Sequence, residues 1–165
     1  STPKPSSAAS DVYKRQTLRF LQKVKEAELL EPLVASVRQC LEHRHSYVRK
    51  NAVFAVLMIY QRHEQLISDA PELMETFLES EADATCKRNA FLALLHMAPE
   101  RAVAFLESMI DQITLYDELM QMAIIELIRK DAKGECPRRP QYIAAVSELL
   151  ASPSHAVKYL SLIHI

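Results

Sequence analysis

Apolar residues through most of the chain recur at intervals of three and four, in segments separated by short polar or proline-marked joints. Three stripes are especially regular: Val48, Ala52, Val56 and Ile59; Cys86, Ala90, Leu94 and Met97; and Leu119, Ala123 and Leu127. That spacing puts each set on one side of an α-helix. Each stripe follows a second amphipathic segment, carried by Leu33, Val37, Cys40 and Leu41, by Leu73, Phe77 and Leu78, and by Val103, Leu106 and Ile110. The stripes open 38 and then 33 residues apart, and Val157, 38 beyond Leu119, opens a fourth behind Ile143, Val146, Leu149 and Leu150. Self-similarity at such a period predicts stacked helical hairpins.

The joints agree with this reading. His43 to Ser46, Ser80 to Ala84 and Thr114 to Asp117 are polar turns within hairpins, while Asp69-Ala70-Pro71, Ala98-Pro99 and Pro137 to Pro140 lie between them. Proline near a helix start costs no hydrogen bond, and Asp69 and Ser154 are expected N-caps. A hairpin cannot bury its own apolar face, so its neighbours must cover it. Val48, Ala52, Cys86, Ala90, Leu119 and Ala123 are the expected repeat core, the alanines marking places where helices approach closely.

The stretch SYVRKNAVFAV, Ser46 to Val56, aligns with ATCKRNAFLAL, Ala84 to Leu94, in the order apolar, cation, cation, Asn, Ala; HAVKY, His155 to Tyr159, is a partial third copy. A cation at a fixed place in a helical repeat resembles the V-R-x-x-A core of HEAT repeats. The expected fold is all-α, a HEAT/armadillo-like α-solenoid, a superhelix of antiparallel helical hairpins. Arg49 and Lys87 are assigned to structure, bonding the adjacent turn or repeat. Consecutive helical residues diverge by about 100°, so Lys50 and Arg88 are left to face outward.

Composition removes several function classes. Twenty Lys+Arg against 21 Asp+Glu leave a net charge of -1, with no overall basic field for a phosphate backbone. A single glycine, Gly134, cannot build a phosphate-cradling loop or dinucleotide fold. Three widely spaced cysteines, Cys40, Cys86 and Cys136, argue against a disulfide framework and for a reducing compartment. No apolar run reaches the roughly 18 residues of a spanning helix. The expectation is a soluble intracellular protein that does not bind nucleic acid.

No catalytic, cofactor-binding or metal-binding residues are assigned. His43-x-His45 has metal-ligand character, but neither Cys40 nor Glu42 has an obvious matching partner elsewhere. Cys86 falls on an apolar stripe and reads as a small core residue. No carboxylate pair, Ser/His/Asp set or phosphate loop is evident, so an enzyme is not expected.

The ends follow a different logic. Asp11 to Gln16 read DVYKRQ and Leu160 to Ile165 read LSLIHI. One DNA element, GATGTGTATAAGAGACAG, encodes the first on one strand and the second on the other, and it resembles a transposase end used in sequencing libraries. Residues 1–16 are therefore expected to be a non-native or disordered leader with an adapter scar, 17–159 a partial HEAT-repeat domain, and 160–165 a second scar.

Within that body, KEAELLEPLV (Lys25 to Val34), CLEHRHSYVRKNAV (Cys40 to Val53), DAPEL (Asp69 to Leu73), DATCKRNAF (Asp83 to Phe91), IIELIRK (Ile124 to Lys130) and SHAVKY (Ser154 to Tyr159) fall in order. Together they resemble the adaptin-type N-terminal solenoids of the coatomer beta-subunit family (beta-COP). The resemblance implies a non-enzymatic scaffold of the COPI vesicle coat, acting in Golgi-to-ER and intra-Golgi transport. It implies as partners the other coatomer subunits, the delta subunit especially, and a GTP-bound Arf-class small GTPase. The place would be the cytoplasm and, peripherally, Golgi membrane and coated vesicles. An adaptor-complex beta chain, or another cargo-binding HEAT solenoid such as a nuclear-transport receptor, is the alternative. Exposed helix ends bearing Arg44, His45, Lys50 and Arg88 are the candidate partner surface. The Gly134-Glu135-Cys136-Pro137 loop matches no recognised motif.

Overall fold

The computed structural model describes residues 16–17, 27–133 and 136–164. The leader assigned to residues 1–16 lies almost wholly outside them, as do Gly134 and Glu135. Among the described residues every regular element is helical, and the chain divides into two compact units after Met97.

The first unit contains α1 (Ala27–Leu41), α2 (Ser46–Arg62), α3 (Ala70–Ser80) and α4 (Ala84–Met97), with a 3₁₀ turn at Glu64–Leu66. Helix α2 packs against both α1 and α4, and α4 packs against α3. Val37 and Leu41 of α1, Met74 and Leu78 of α3, and the buried stripes of α2 and α4 form its core. The second unit contains α5 (Pro99–Met109), a 3₁₀ segment (Ile110–Leu115), α6 (Glu118–Asp131), α7 (Arg139–Leu149) and α8 (His155–His164). Here α6 packs against α8, α5 and α7.

Pro71, Pro99 and Pro140 occupy the first turns of α3, α5 and α7, where a missing N–H leaves no bond unmade. Side-chain caps open the second helix of several hairpins. The Asp83 carboxylate accepts the Cys86 N–H at 2.9 Å, Asp117 accepts that of Met120 at 3.2 Å, and Ser154 Oγ accepts that of Val157 at 3.3 Å. Asp69 precedes α3 but makes no side-chain cap; its carboxylate instead receives the Arg38 guanidinium, at 2.8 Å from Nη1. A carboxylate with a bidentate partner in reach is better satisfied there than by one backbone N–H.

These caps set a register that apolar spacing alone misplaces in two helices. The residue three past the cap position is buried in each second helix: Val48, Cys86, Met120 and Val157. In α6 the buried residue is thus Met120 (1% exposed), whereas Leu119, expected in the repeat core, is 51% exposed. The core of α6 continues through Ile124, Ile125, Leu127 and Ile128, leaving Ala123 only half-buried. The counterpart of Ala52 and Ala90 is therefore Ile124. In α7 the core position lies one residue the other way: Tyr142 is inside and Ile143, expected in the stripe, is 50% exposed. Tyr142 can be buried because its hydroxyl donates to Asp131 Oδ2 at 2.8 Å.

The corrected register separates neighbouring residues by their energetic weight. Ile124→Ala is expected to cost about 2–5 kcal/mol through the cavity it leaves, and Ala52→Leu or Ala90→Leu about 1–3 kcal/mol through overpacking. Ala123→Leu is expected to change stability by no more than about 0.5 kcal/mol. Urea unfolding of the four variants checks this, and equal sensitivity at 123 and 124 would contradict the register.

Candidate interaction site at the helix turns

Three methylenes of Arg49 carry its guanidinium from the first turn of α2 back over the turn that precedes that helix. Its Nη1 donates to the carbonyl oxygens of His43 at 2.8 Å and Arg44 at 3.1 Å. Its Nε and Nη2 face the Glu81 carboxylate at 2.6 and 2.8 Å, a bidentate pair. Glu81 lies in the next hairpin's turn, where its Oε1 also accepts the N–H groups of Ala82 and Asp83 at 2.9 and 2.8 Å. One side chain thus ties the α1–α2 turn to the α3–α4 turn. The pair is largely sheltered, with 18% of the Arg49 side chain and 3% of the Glu81 side chain exposed. Burial alone pushes the Glu81 carboxyl up, but hydrogen bonds from Arg49 and the turn amides outweigh it and hold the group below its ordinary value.

Gln121 occupies the corresponding place in α6, four residues past Asp117 as Arg49 is four past His45. Its Nε2 donates to the carbonyl oxygens of Tyr116, Thr114 and Ile113 at 2.9, 3.3 and 3.4 Å. Its Oε1 accepts from Ser152 Oγ at 3.3 Å, and Ser152 Oγ accepts the N–H of Ser154. A neutral amide therefore makes the same two-turn connection as the guanidinium. The alignment of cations in sequence passes over Gln121 because it carries no charge; its distance from the Asp117 cap is the signal that finds it.

Around this framework, Arg44 and His45 are exposed on the α1–α2 turn. Lys50 and Arg88 are half-buried at matching positions on α2 and α4, which pack side by side, and Lys87 is half-buried beside Arg88. The carbonyls of His43 and Arg44 being fixed by Arg49, the turn presents Arg44 and His45 from a held backbone. The His43 and His45 rings lie 5.6 Å apart between centroids, tilted by 33°, and the His45 N–H donates to His43 Nδ1 at 3.1 Å. Between α1 and α3 an open groove of about 670 Å³ is lined by Arg38, Leu41, His43, Arg44, Leu73 and Phe77 among others.

Nucleophilic chemistry finds no support at Cys86. The thiol is wholly buried, and its S–H donates to the Ser46 carbonyl at 3.1 Å. Burial, with the Glu81 and Asp83 carboxylates nearby, pushes its pKa up to about 12, which leaves almost no thiolate at neutral pH. Among the described residues no group of three or more His, Cys, Asp or Glu side chains is placed to hold a metal ion, and no helix is long and apolar enough to cross a membrane.

The adaptin N-terminal region model matches residues 5–163. The chain belongs to that family. Its fold class is accordingly the all-α, HEAT/armadillo-like solenoid of adaptin N-terminal regions. It is also similar to the coatomer subunit beta of Sus scrofa, with 50% identity over 91% of this chain, of Drosophila melanogaster, with 47% over 92%, and of Dictyostelium discoideum, with 49% over 92%. The chain spans about one sixth of the length of these curated relatives, 16% of the first and second and 17% of the third.

Two measurements test the turn framework of this adaptin-type segment. Arg49→Met leaves the Glu81 carboxylate sheltered and unpaired and is expected to cost about 3–5 kcal/mol in urea unfolding. Because the folded Glu81 carboxyl sits below its unfolded value of about 4.3, its stabilisation is complete above that value and is lost as pH falls through the lower folded one. Glu81→Gln should flatten that part of the acid-unfolding profile. Separately, Cys86 should resist a thiol reagent at pH 8 until the protein unfolds, whereas the half-buried Cys40 and Cys136 react in the native state; fast native labelling of Cys86 would refute its assignment.

Proposed function

We propose that this chain is part of a non-enzymatic scaffold subunit of the COPI vesicle coat, working through protein contacts in Golgi-to-ER and intra-Golgi transport. The observation that carries the reading is about half identity, over nine tenths of the chain, to coatomer beta subunits of animals and a slime mould. In this reading its partners are the other coatomer subunits, the delta subunit especially, and a GTP-bound Arf-class small GTPase. Its place is the cytoplasm and, peripherally through the complex, the Golgi membrane and coated vesicles. Turns tied to one another by sheltered polar links suit a scaffold that works through protein contacts. An adaptor-complex beta chain is the second reading, favoured by the match to the adaptin N-terminal region model; the coatomer relatives weigh for the first.

Arg44, His45, Lys50 and Arg88 form the proposed partner surface. Their support is the held α1–α2 turn and the side-by-side packing of α2 and α4. Residues 17–159 are proposed as the adaptin-type body and 160–165 as foreign to it. The support is that one DNA element, read on its two strands, encodes both DVYKRQ and LSLIHI.

A pull-down of the full-length subunit with GTP-loaded and GDP-loaded Arf-class protein tests the reading. Recovery is expected from the GTP state, and reversing the charges of Arg44, Lys50 and Arg88 is expected to lower it about tenfold. Equal recovery in the two nucleotide states would count against GTPase recognition, and an unaffected triple variant would remove these residues from the contact.

A further inference from the structure

A short phrase recurs that the stacking of helices does not use. Phe77-Leu78-Glu79-Ser80 is followed by Asp83, and Phe105-Leu106-Glu107-Ser108 by Asp111, so each serine has one carboxylate just before it and another three residues after. In both copies the leucine is buried and the Glu-Ser pair is exposed, near the end of α3 or α5. A hydroxyl between carboxylates at these places is what the basic substrate cleft of an acid-directed protein kinase selects by charge. Ser80 is the last residue of α3 and the chain from Glu81 to Asp83 is not helical, so fraying of one helix end presents it.

Surroundings separate the two serines. Ser80 lines the α1–α3 groove together with Arg38, His43 and Arg44. The Arg49 guanidinium touches both the Arg44 carbonyl and the Glu81 carboxylate, which brings the residue next to Glu81 and the Arg44 side chain to the same end of that groove. Glu107 and Asp111, on either side of Ser108, instead line a groove with Glu148, and its cation, Arg138, is bound to Glu107 and Asp131. A phosphoserine carries about -1.5 to -2 charge and three acceptor oxygens at neutral pH, and a guanidinium is its best-matched partner. Esterifying Ser80 Oγ also removes the proton it donates to the Thr76 and Phe77 carbonyls. With that bond gone and the negative end of α3 beside it, the phosphate is driven off the helix and toward the cations.

We propose that Ser80 is a phosphoacceptor for an acid-directed protein kinase, and that its phosphate is received across the groove by Arg44. The γ-phosphoryl group of ATP passes to Ser80 Oγ: the Oγ–P bond forms as the bond from that phosphorus to the bridging oxygen breaks, ADP leaves, and the hydroxyl proton goes to the kinase's base. The phosphate then withdraws Arg44 from the partner surface. That last consequence rests on the reading of Arg44 as a partner residue, whereas the modification and its docking do not.

The full-length subunit, treated with a purified acid-directed Ser/Thr kinase and ATP, is expected to carry phosphate on Ser80, located by peptide mass spectrometry; an unmodified Ser80 would overturn the proposal. Hydrogen exchange then reads the docking. Phosphorylation should slow exchange of the amides in the turn from His43 to Ser46 about threefold. Arg44→Gln should abolish the slowing, and Ser80→Ala, treated with the same kinase and keeping Ser108, should show none. Unchanged exchange, or equal slowing in Arg44→Gln, would overturn reception by Arg44. In the GTPase pull-down the phosphorylated subunit should lose about threefold in recovery, as Arg44→Gln alone does, and full recovery would overturn the masking. Should the unmodified subunit fail to distinguish the nucleotide states, GTPase recognition fails by itself, and the mass and exchange measurements still decide the modification and its docking.

Discussion

The sheltered contact between Arg49 and Glu81 fixes more of the first unit than any single apolar side chain does. Two carbonyls of one turn, two N–H groups of another and both charges close on one another. Such a pair gains little over an apolar pair of the same volume, because desolvation consumes most of the Coulomb attraction. Its importance lies in the asymmetry. With both partners present the guanidinium makes four hydrogen bonds and the carboxylate is paired, and with either one removed a charge is stranded. Packing of α2 on α4 in any other register would separate the partners, so the link selects one alignment among those that the apolar stripes tolerate.

Apolar burial supplies the attraction that this selection acts on. Val48, Ala52, Val53 and Val56 of α2 and Cys86, Ala90, Phe91 and Leu94 of α4 are all buried, and the two helices are neighbours. Alanine at 52 and 90 lets the backbones approach, which also brings the Cys86 thiol to the Ser46 carbonyl. Asn51 and Asn89 recur inside this layer; Asn51 Nδ2 donates back to the Tyr47 carbonyl at 2.6 Å, so its amide spares the neighbouring helix a polar group.

Much of the fold was legible in the pattern of apolar positions, and the failures are instructive. Hairpin order, the polar joints and the prolines at helix starts follow from 3.6-residue periodicity and backbone chemistry. Three core positions did not, Leu119 with Ala123 in one helix and Ile143 in another, because Leu119-Met120 and Tyr142-Ile143 each place two large apolar side chains in sequence, and a periodicity cannot choose between adjacent candidates. Caps and polar partners make the choice: Asp117 in one case, and Asp131 under the Tyr142 hydroxyl in the other. Arg49 was readable as a linking cation because its sequence neighbourhood recurs around Lys87. Gln121 was hidden since its role depends on hydrogen-bond geometry, which charge alignment does not see. Asp69 shows the converse, a residue of capping type whose carboxylate is engaged by Arg38, 31 residues away.

Arg49 and Gln121 solve one geometric problem with different chemistry, and the difference carries a physical consequence. A guanidinium only donates, so its far partner must be an acceptor, and Glu81 supplies charge as well as oxygen. A carboxamide donates and accepts at once, so Gln121 can share its two N–H groups among three carbonyls and accept the serine hydroxyl's hydrogen bond with its oxygen. The first link therefore weakens when Glu81 is protonated, while the second has no titrating member. Sheltering matters in both for opposite reasons: it strengthens the ionic link against screening by salt, and it makes an unfilled amide valence costly. A repeat array that alternates the two can hold the same turn-to-turn spacing along its length without accumulating buried charge.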